Sequence, residues 1–348
     1  MRIYKDGLMI AFIVGASGYT GVELFRILTK HRQVEKVRIF SDTHAGASIQ
    51  DLYGDIRLED TDVRFEGMPL DGVFEGCDVL FLAVPNSTAM EIVEKNVGND
   101  YLIVDLSADF RLHSGGDYKK YYDYEHTASR LLPDFCYGLP ELNKDAIKRS
   151  RLVSNPGCYP TSAILALAPL LSDEQLIETD VVCNTISGVS GAGRKDKGYN
   201  MFCEANENVI AYRPCGHPHS VEITQKVEDF TGVKINLSFT PLLVPVNRGI
   251  ISTLYVKPRA EDIYEKILKR YEFFYVDEPF VEISRPGEQV DLRSVVGTNI
   301  CKISAFYCRD ERYVKIFSVI DNLIKGAAGQ AVQNMNLAMG FDETEGLL

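Results

Sequence analysis

Several features are missing from this 348-residue chain, and each absence removes a class of protein. The longest apolar stretch, residues 8–16, falls far short of the ~20 residues that a membrane-spanning helix needs, and no small-residue cleavage site follows it. It is expected to be a buried first strand, with no membrane partner. Basic residues are outnumbered, 37 Lys and Arg against 49 Asp and Glu, for a net charge of −12. Nucleic-acid binding leans on a basic stripe, and none is visible, so no nucleic-acid partner is expected. The eight cysteines, at 77, 136, 158, 183, 203, 215, 301 and 308, contain no CxxC pair and no Cys/His cluster at zinc-like spacing. That argues against a metal site and against a disulfide framework, and a cytoplasmic location fits best. Repeats and low-complexity segments are absent too.

What is present reads as two domains of ordinary size. Short apolar runs at 9–14, 37–40, 79–84 and 102–105 are bounded by Gly, Pro, Asn or Asp, as buried parallel strands are. Segments 21–31 and 87–96 between them carry apolar residues at helical spacing, which predicts an α/β, Rossmann-type doubly wound parallel sheet. Past residue 150 the strands lengthen, as at 250–256, and a hairpin pattern runs from 300 to 320 around RDER. This predicts a second α+β domain with a mixed or antiparallel sheet. Pro241, Pro245 and Pro258 are expected at or near strand ends, where a missing N–H costs least. A helix is expected over 321–340, with small residues at 326–329 permitting close approach of another backbone or a cofactor. The dinucleotide-binding domain is placed at 1–156, completed by the C-terminal segment 321–348, and the catalytic and oligomerisation domain at 157–320.

Gly15, Gly18 and Gly21 in GASGYTG follow a predicted strand and open a predicted helix, the context that distinguishes a dinucleotide loop from a chance cluster. Glycines let backbone N–H groups approach a pyrophosphate at a helix N-terminus. The end of the second strand, where the adenine ribose belongs, carries Ser41, Asp42, Thr43 and His44. An acidic residue there suits a free 2′-hydroxyl, whereas Ser41 and Thr43 suit a 2′-phosphate, so NAD and NADP both stay open.

Cys158 stands in NPGCYPT at the threshold of a predicted helix whose Ile164, Leu167, Ala168 and Leu171 face one way. The positive end of a helix favours a thiolate, and its N–H groups can hold an oxyanion. Among six histidines, His31, His44, His113 and His126 lie in polar segments and are expected to be solvated. His217 and His219 in GHPHSVEI are the plausible proton acceptors, either one open to the role. ISGVSGAGR at 186–194 offers backbone donors, and Arg194 suits an anion. Arg111 in LSADFR, after a strand C-terminus, is a second anion-binding candidate.

GASGYTGVEL, LSADFR, NPGCYPT, SGVSGAGR, GHPHSVEI and IDNLIKGAAGQAVQN, in this order, resemble the N-acetyl-gamma-glutamyl-phosphate reductase family of arginine biosynthesis. More distantly, the chain is similar to aspartate-semialdehyde dehydrogenase. The resemblance implies NADPH-dependent reduction of an acyl phosphate to a semialdehyde through a cysteine thioester, with release of inorganic phosphate. It implies that Cys158 is the nucleophile, that His219 is the acid/base with His217 nearby, and that Arg111 faces the phosphoryl group, with Asn155 and Arg194 also on the substrate. It places Gly15, Ser17, Gly18, Tyr19, Thr20, Gly21, Ser41, Ser187, Gly188 and Asn322 around the cofactor and implies a homodimer or homotetramer. Two departures stand out: Pro218 replaces the arginine that family members often have between the histidines, and Asp42 replaces the arginine that many carry after Ser41. The alternatives are an aspartate-semialdehyde dehydrogenase-like acyl-phosphate reductase and a non-catalytic dinucleotide-sensing regulator.

Overall fold

The computed structural model describes residues 8–56, 62–173, 176–260, 263–307 and 310–348. The expected lead-in at 1–7, and Cys308 and Arg309 of the expected hairpin, lie outside these. Two compact units emerge, residues 1–156 with 327–348, and residues 157–326. No described helix is long and apolar enough to cross a membrane.

The first unit runs β1 (Met9–Val14), α1 (Tyr19–Leu28), β2 (Val34–Phe40), α2 (Ile49–Leu52), β3 (Val79–Leu82), α3 (Ala89–Asn96), β4 (Leu102–Asp105), α4 (Gly115–Tyr122), β5 (Cys136–Tyr137), α5 (Pro140–Ile147) and β6 (Leu152–Ser154). Its sheet has the order β2-β1-β3-β4-β6-β5, with every neighbouring pair parallel. The strands are short, and β3 and β4 are buried at every residue, which is why they read as unbroken apolar runs and not as alternating ones. Chain order reverses at β1, between β2 and β3, and such a switch point is where doubly wound sheets bind ligands.

The second unit runs α6 (Cys158–Leu171), β7 (Ile177–Gly188), α7 (Phe202–Ala205), β8 (Ile210–Ala211), α8 (Pro218–Thr231), β9 (Asn236–Val244), β10 (Ile250–Pro258), α9 (Tyr264–Phe274), β11 (Val281–Ile283), β12 (Cys301–Tyr307) and β13 (Val314–Ile320). The sheet, in the order β11-β12-β13-β10-β7-β9-β8, is mixed, with β12 and β13 forming the antiparallel hairpin. Helix α6 was expected to show one apolar face, but every residue after Cys158 is buried. A helix apolar all round belongs in a core, and each fully buried Leu or Ile contributes roughly 1.5–3 kcal/mol. Pro241 also departs from expectation, sitting inside β9 opposite Thr185 of β7. It is tolerated because β8 pairs only with Leu242 and Leu243, so β9 has an open outer side at Pro241.

The chain ends in α10 (Gly329–Met339), preceded by a π-turn at Ile324–Ala328. The helix therefore starts later than expected, and residues 321–326 belong to the second unit and not to the first. Asp321 and Asn322 are held there, Asp321 accepting from Gly297 N and Asn322 from Gly249 N. Ala331, Val332 and Met335 of α10 join Ile13, Phe81 and Val104 in the core of the first unit.

Candidate active site

At the switch point, Gly15 has φ +85°, and a Cβ there would collide with Ala83 O; one on Gly21 would collide with the backbone of Gly15 and Ala16. Both glycines are required by the turn itself. Gly18 differs: it has φ −85°, and a Cβ would meet nothing closer than Gly15 O at 3.5 Å. Packing within the chain does not call for glycine there, whereas close approach of a ligand to the head of α1 does. Tyr19 and Thr20 begin α1 half-buried. Tyr53 Oη donates to Ser17 O at 2.9 Å, holding the loop, and Ser17 Oγ lies 3.3 Å from Ser41 Oγ at the end of β2. The donor set therefore fits a dinucleotide.

In the second unit, Gly157 caps α6 and Cys158 is its first residue. Cys158 is half-buried, the one residue of the helix that is not enclosed. Two features fix this turn. Gly157 N donates to Glu222 Oε1 at 2.9 Å, and a Cβ on Gly326 would lie 2.8 Å from Cys158 Cβ, so the π-turn backbone rests directly on Cys158. Single π-turns of this kind are frequent at functional sites.

His217 and His219 sit at the head of α8, their ring centroids 4.9 Å apart, and the Tyr159 ring meets both edge-on at 5.8 and 5.6 Å. The two histidines differ in burial. His217 is the buried N-cap, its Nδ1 accepting from His219 N at 3.1 Å. Burial, reinforced by His219 and Arg213 and opposed by Glu222, pushes the His217 imidazole down to about 2. His217 is thus a neutral ring with its proton on Nε2. His219 is half-buried at the second position of the helix.

Arg111 is not a surface arginine: it is buried, with Nε donating to Asn155 O at 2.7 Å and Nη2 to Leu106 O at 2.8 Å. Asn155 is occupied by the first unit, donating to Ala327 O and accepting from Asn334. Asn322 accepts from Gly249 N and donates to Ser190 Oγ, so its amide ties two turns together. Ser187 and Gly188 end β7, and the Ser187 hydroxyl donates to Gly188 O. Arg194 is exposed beyond them. Cys158, His217 and His219 are therefore gathered on α6 and α8, Arg111 and Asn155 lie together in the first unit, and Arg194 stands on the surface of the second.

Two expectations about histidine fail. His31 is buried with Nε2 2.9 Å from Asn336 Oδ1, under a distant chain segment, and His126 is buried against Asp109 O at 2.6 Å and the rings of Phe110 and Tyr118. Sequence reasoning also missed Glu222, Tyr159 and Tyr212. Tyr159 and Tyr212 share a 2.6 Å hydroxyl contact, and burial raises both phenols well above their ordinary value. A signal for Glu222 existed, since it lies three residues after His219 on the same helix face.

A parallel sheet with a glycine turn at its switch point, joined to a mixed-sheet unit that opens on a helix-head cysteine, defines a semialdehyde dehydrogenase. Residues 11–150 match the semialdehyde dehydrogenase NAD-binding domain and residues 158–322 its dimerisation domain. Aspartate semialdehyde dehydrogenase II of Vibrio cholerae, complexed with ASA, superposes with a TM-score of 0.71 at 18% identity, over 95% of this chain and 98% of that one. The NADP complex of the Candida albicans aspartate semialdehyde dehydrogenase gives 0.68 at 14%, over the same shares; both likenesses concern the fold. Within the class, N-acetyl-gamma-glutamyl-phosphate reductases of Nitrosomonas eutropha and Azotobacter vinelandii are each 42% identical over 335 residues, 96% of both chains. That of Desulforudis audaxviator is 41% identical over 97% of both. The chain belongs to the N-acetyl-gamma-glutamyl-phosphate reductase family.

Proposed function

We propose that this chain reduces N-acetylglutamyl 5-phosphate to N-acetylglutamate 5-semialdehyde with NADPH, releasing phosphate, through a thioester on Cys158. The observation that carries the covalent step is the setting of that thiol: it opens a helix otherwise wholly enclosed, and its turn is held by Glu222 and Gly326. In this mechanism Cys158 Sγ attacks the acyl carbon, and His219 takes the thiol proton and passes it to the departing phosphate. NADPH, when bound at the glycine loop, would supply the hydride for reduction of the thioester. The resulting alkoxide collapses to the aldehyde and expels Sγ, and a solvent proton restores the thiol.

Within this reading, His219 is the acid/base, because the His217 ring is committed to capping α8 and stays neutral. The N–H groups at the head of α6 steady the oxyanion. Arg111 presents its guanidinium to the phosphoryl group, held in orientation by two carbonyls. The glycine loop, Ser41, Ser187, Gly188 and Asn322 line the cofactor, and Asn155 and Arg194 serve the substrate. The second unit pairs with another copy through the sheet face carrying Val182, Ile251, Tyr255 and Phe317, whose residues alternate with the buried set. The free cysteines among the described residues suit the reducing cytoplasm.

The test is oxidation of N-acetylglutamate 5-semialdehyde, followed as NADPH formation. Activity that requires inorganic phosphate and disappears in Cys158→Ser is expected. Full phosphate-dependent activity in Cys158→Ser rules out the thioester, and faster turnover of aspartate semialdehyde rules out the substrate.

A further inference from the structure

The residues beyond β2 carry an inference about how this chain selects its nucleotide, and it rests on the NADPH reading above. Asp42 occupies the position where an acidic side chain ordinarily binds the ribose 2′-hydroxyl. Its carboxylate is turned to other work, with Oδ1 accepting from Met68 N at 2.9 Å. The groups that face the glycine loop, and Ser17 within it, are instead the hydroxyls of Ser41 and Thr43 and the imidazole of His44. Ser41 Oγ is 3.3 Å from Ser17 Oγ, 3.2 Å from Thr43 Oγ1 and 3.4 Å from His44 Nδ1, and Thr43 Oγ1 is 2.9 Å from His44 Nδ1.

His44 is half-buried. Its ring packs on the buried Phe65 at 5.8 Å between centroids, which limits where it can turn. Gly46 N donates to Phe65 O and Phe65 N to Ala47 O, so the loop after His44 is tied to the same segment. Four side chains able to donate a hydrogen bond are thus clustered at the loop. Such a set suits a dianionic oxygen cluster better than a neutral hydroxyl.

We propose that His44, with Ser17, Ser41 and Thr43, forms the 2′-phosphate cradle of this chain, and that His44 is its selectivity-determining residue. The side chain at 42 is a loop anchor in this account, so its charge does not set the preference for NADP over NAD.

Calorimetric titration of the full-length protein with adenosine 2′,5′-bisphosphate and with 5′-AMP tests this without turnover. The wild type is expected to bind the 2′-phosphorylated nucleotide at least tenfold more tightly. His44→Ala should lose most of that ratio while holding 5′-AMP as before, which also reports that the loop has folded. Thr43→Val should lose severalfold, and Asp42→Asn, which keeps the acceptor for Met68 N, should change the ratio by less than about threefold. Undiminished selectivity in His44→Ala, or a tenfold gain in Asp42→Asn, overturns the assignment alone. A wild type that holds both nucleotides equally overturns it together with the NADPH reading.

Discussion

Glu222 accepts a hydrogen bond from Gly157 N at 2.9 Å, and neither residue is open to solvent. One carboxylate on α8 thereby holds the residue immediately before Cys158, and α8 also carries His219. The bond links the helix that Cys158 opens to the helix that carries His219.

Glu222→Ala leaves a buried N–H without its acceptor, which costs roughly 1–3 kcal/mol. Glu222→Gln keeps an acceptor oxygen and should recover most of this. Urea denaturation of the three proteins checks the stability order, and kcat is expected to follow it. An alanine variant as stable and active as the wild type would remove Glu222 from its positioning role.

The two histidines should separate in kinetics and in pH behaviour. His219→Asn is expected to turn over roughly 10²- to 10⁴-fold more slowly, and His217→Asn, in which asparagine still caps α8, less than about tenfold. The folded His217 imidazole is pushed down to about 2 from an unfolded value of 6.5. Between these values the unfolded chain binds the extra proton, so this contribution to stability is complete above about pH 6.5 and is lost as pH falls. His217→Asn should flatten that acid limb in thermal melts recorded from pH 7 to 4.

Asp105 runs the other way. It is fully buried at the end of β4, and burial together with the Asp109 carboxylate pushes it up to about 7, against Ser107 hydrogen bonds and Arg111. From its ordinary 3.8 up to that value the folded protein holds a proton that the unfolded chain has lost. Its contribution is therefore complete below about pH 3.8 and is lost as pH rises to about 7. Asp105→Asn, which retains an acceptor for Ser107 N, should be less sensitive than the wild type between pH 4.5 and 7.5. An unchanged slope would mean that Asp105 stays ionised throughout.

The residues alone carried the doubly wound sheet, the mixed second sheet, the glycine loop and the helix-head cysteine. Each of these is written in local spacing: unbroken apolar runs for β3 and β4, glycines between strand and helix, proline in the first turn of α6. Local spacing has no means of stating what covers an element from outside. It could not show that α6 is enclosed on every side, that Pro241 lies inside β9 beside a neighbour only two residues long, or that residues 321–326 stay with the second unit. The placement of Glu222 and Gly326 and the different burial of His217 and His219 were decided by tertiary structure. Each depends on a partner far along the chain, and burial and charge are set by what the whole fold brings near.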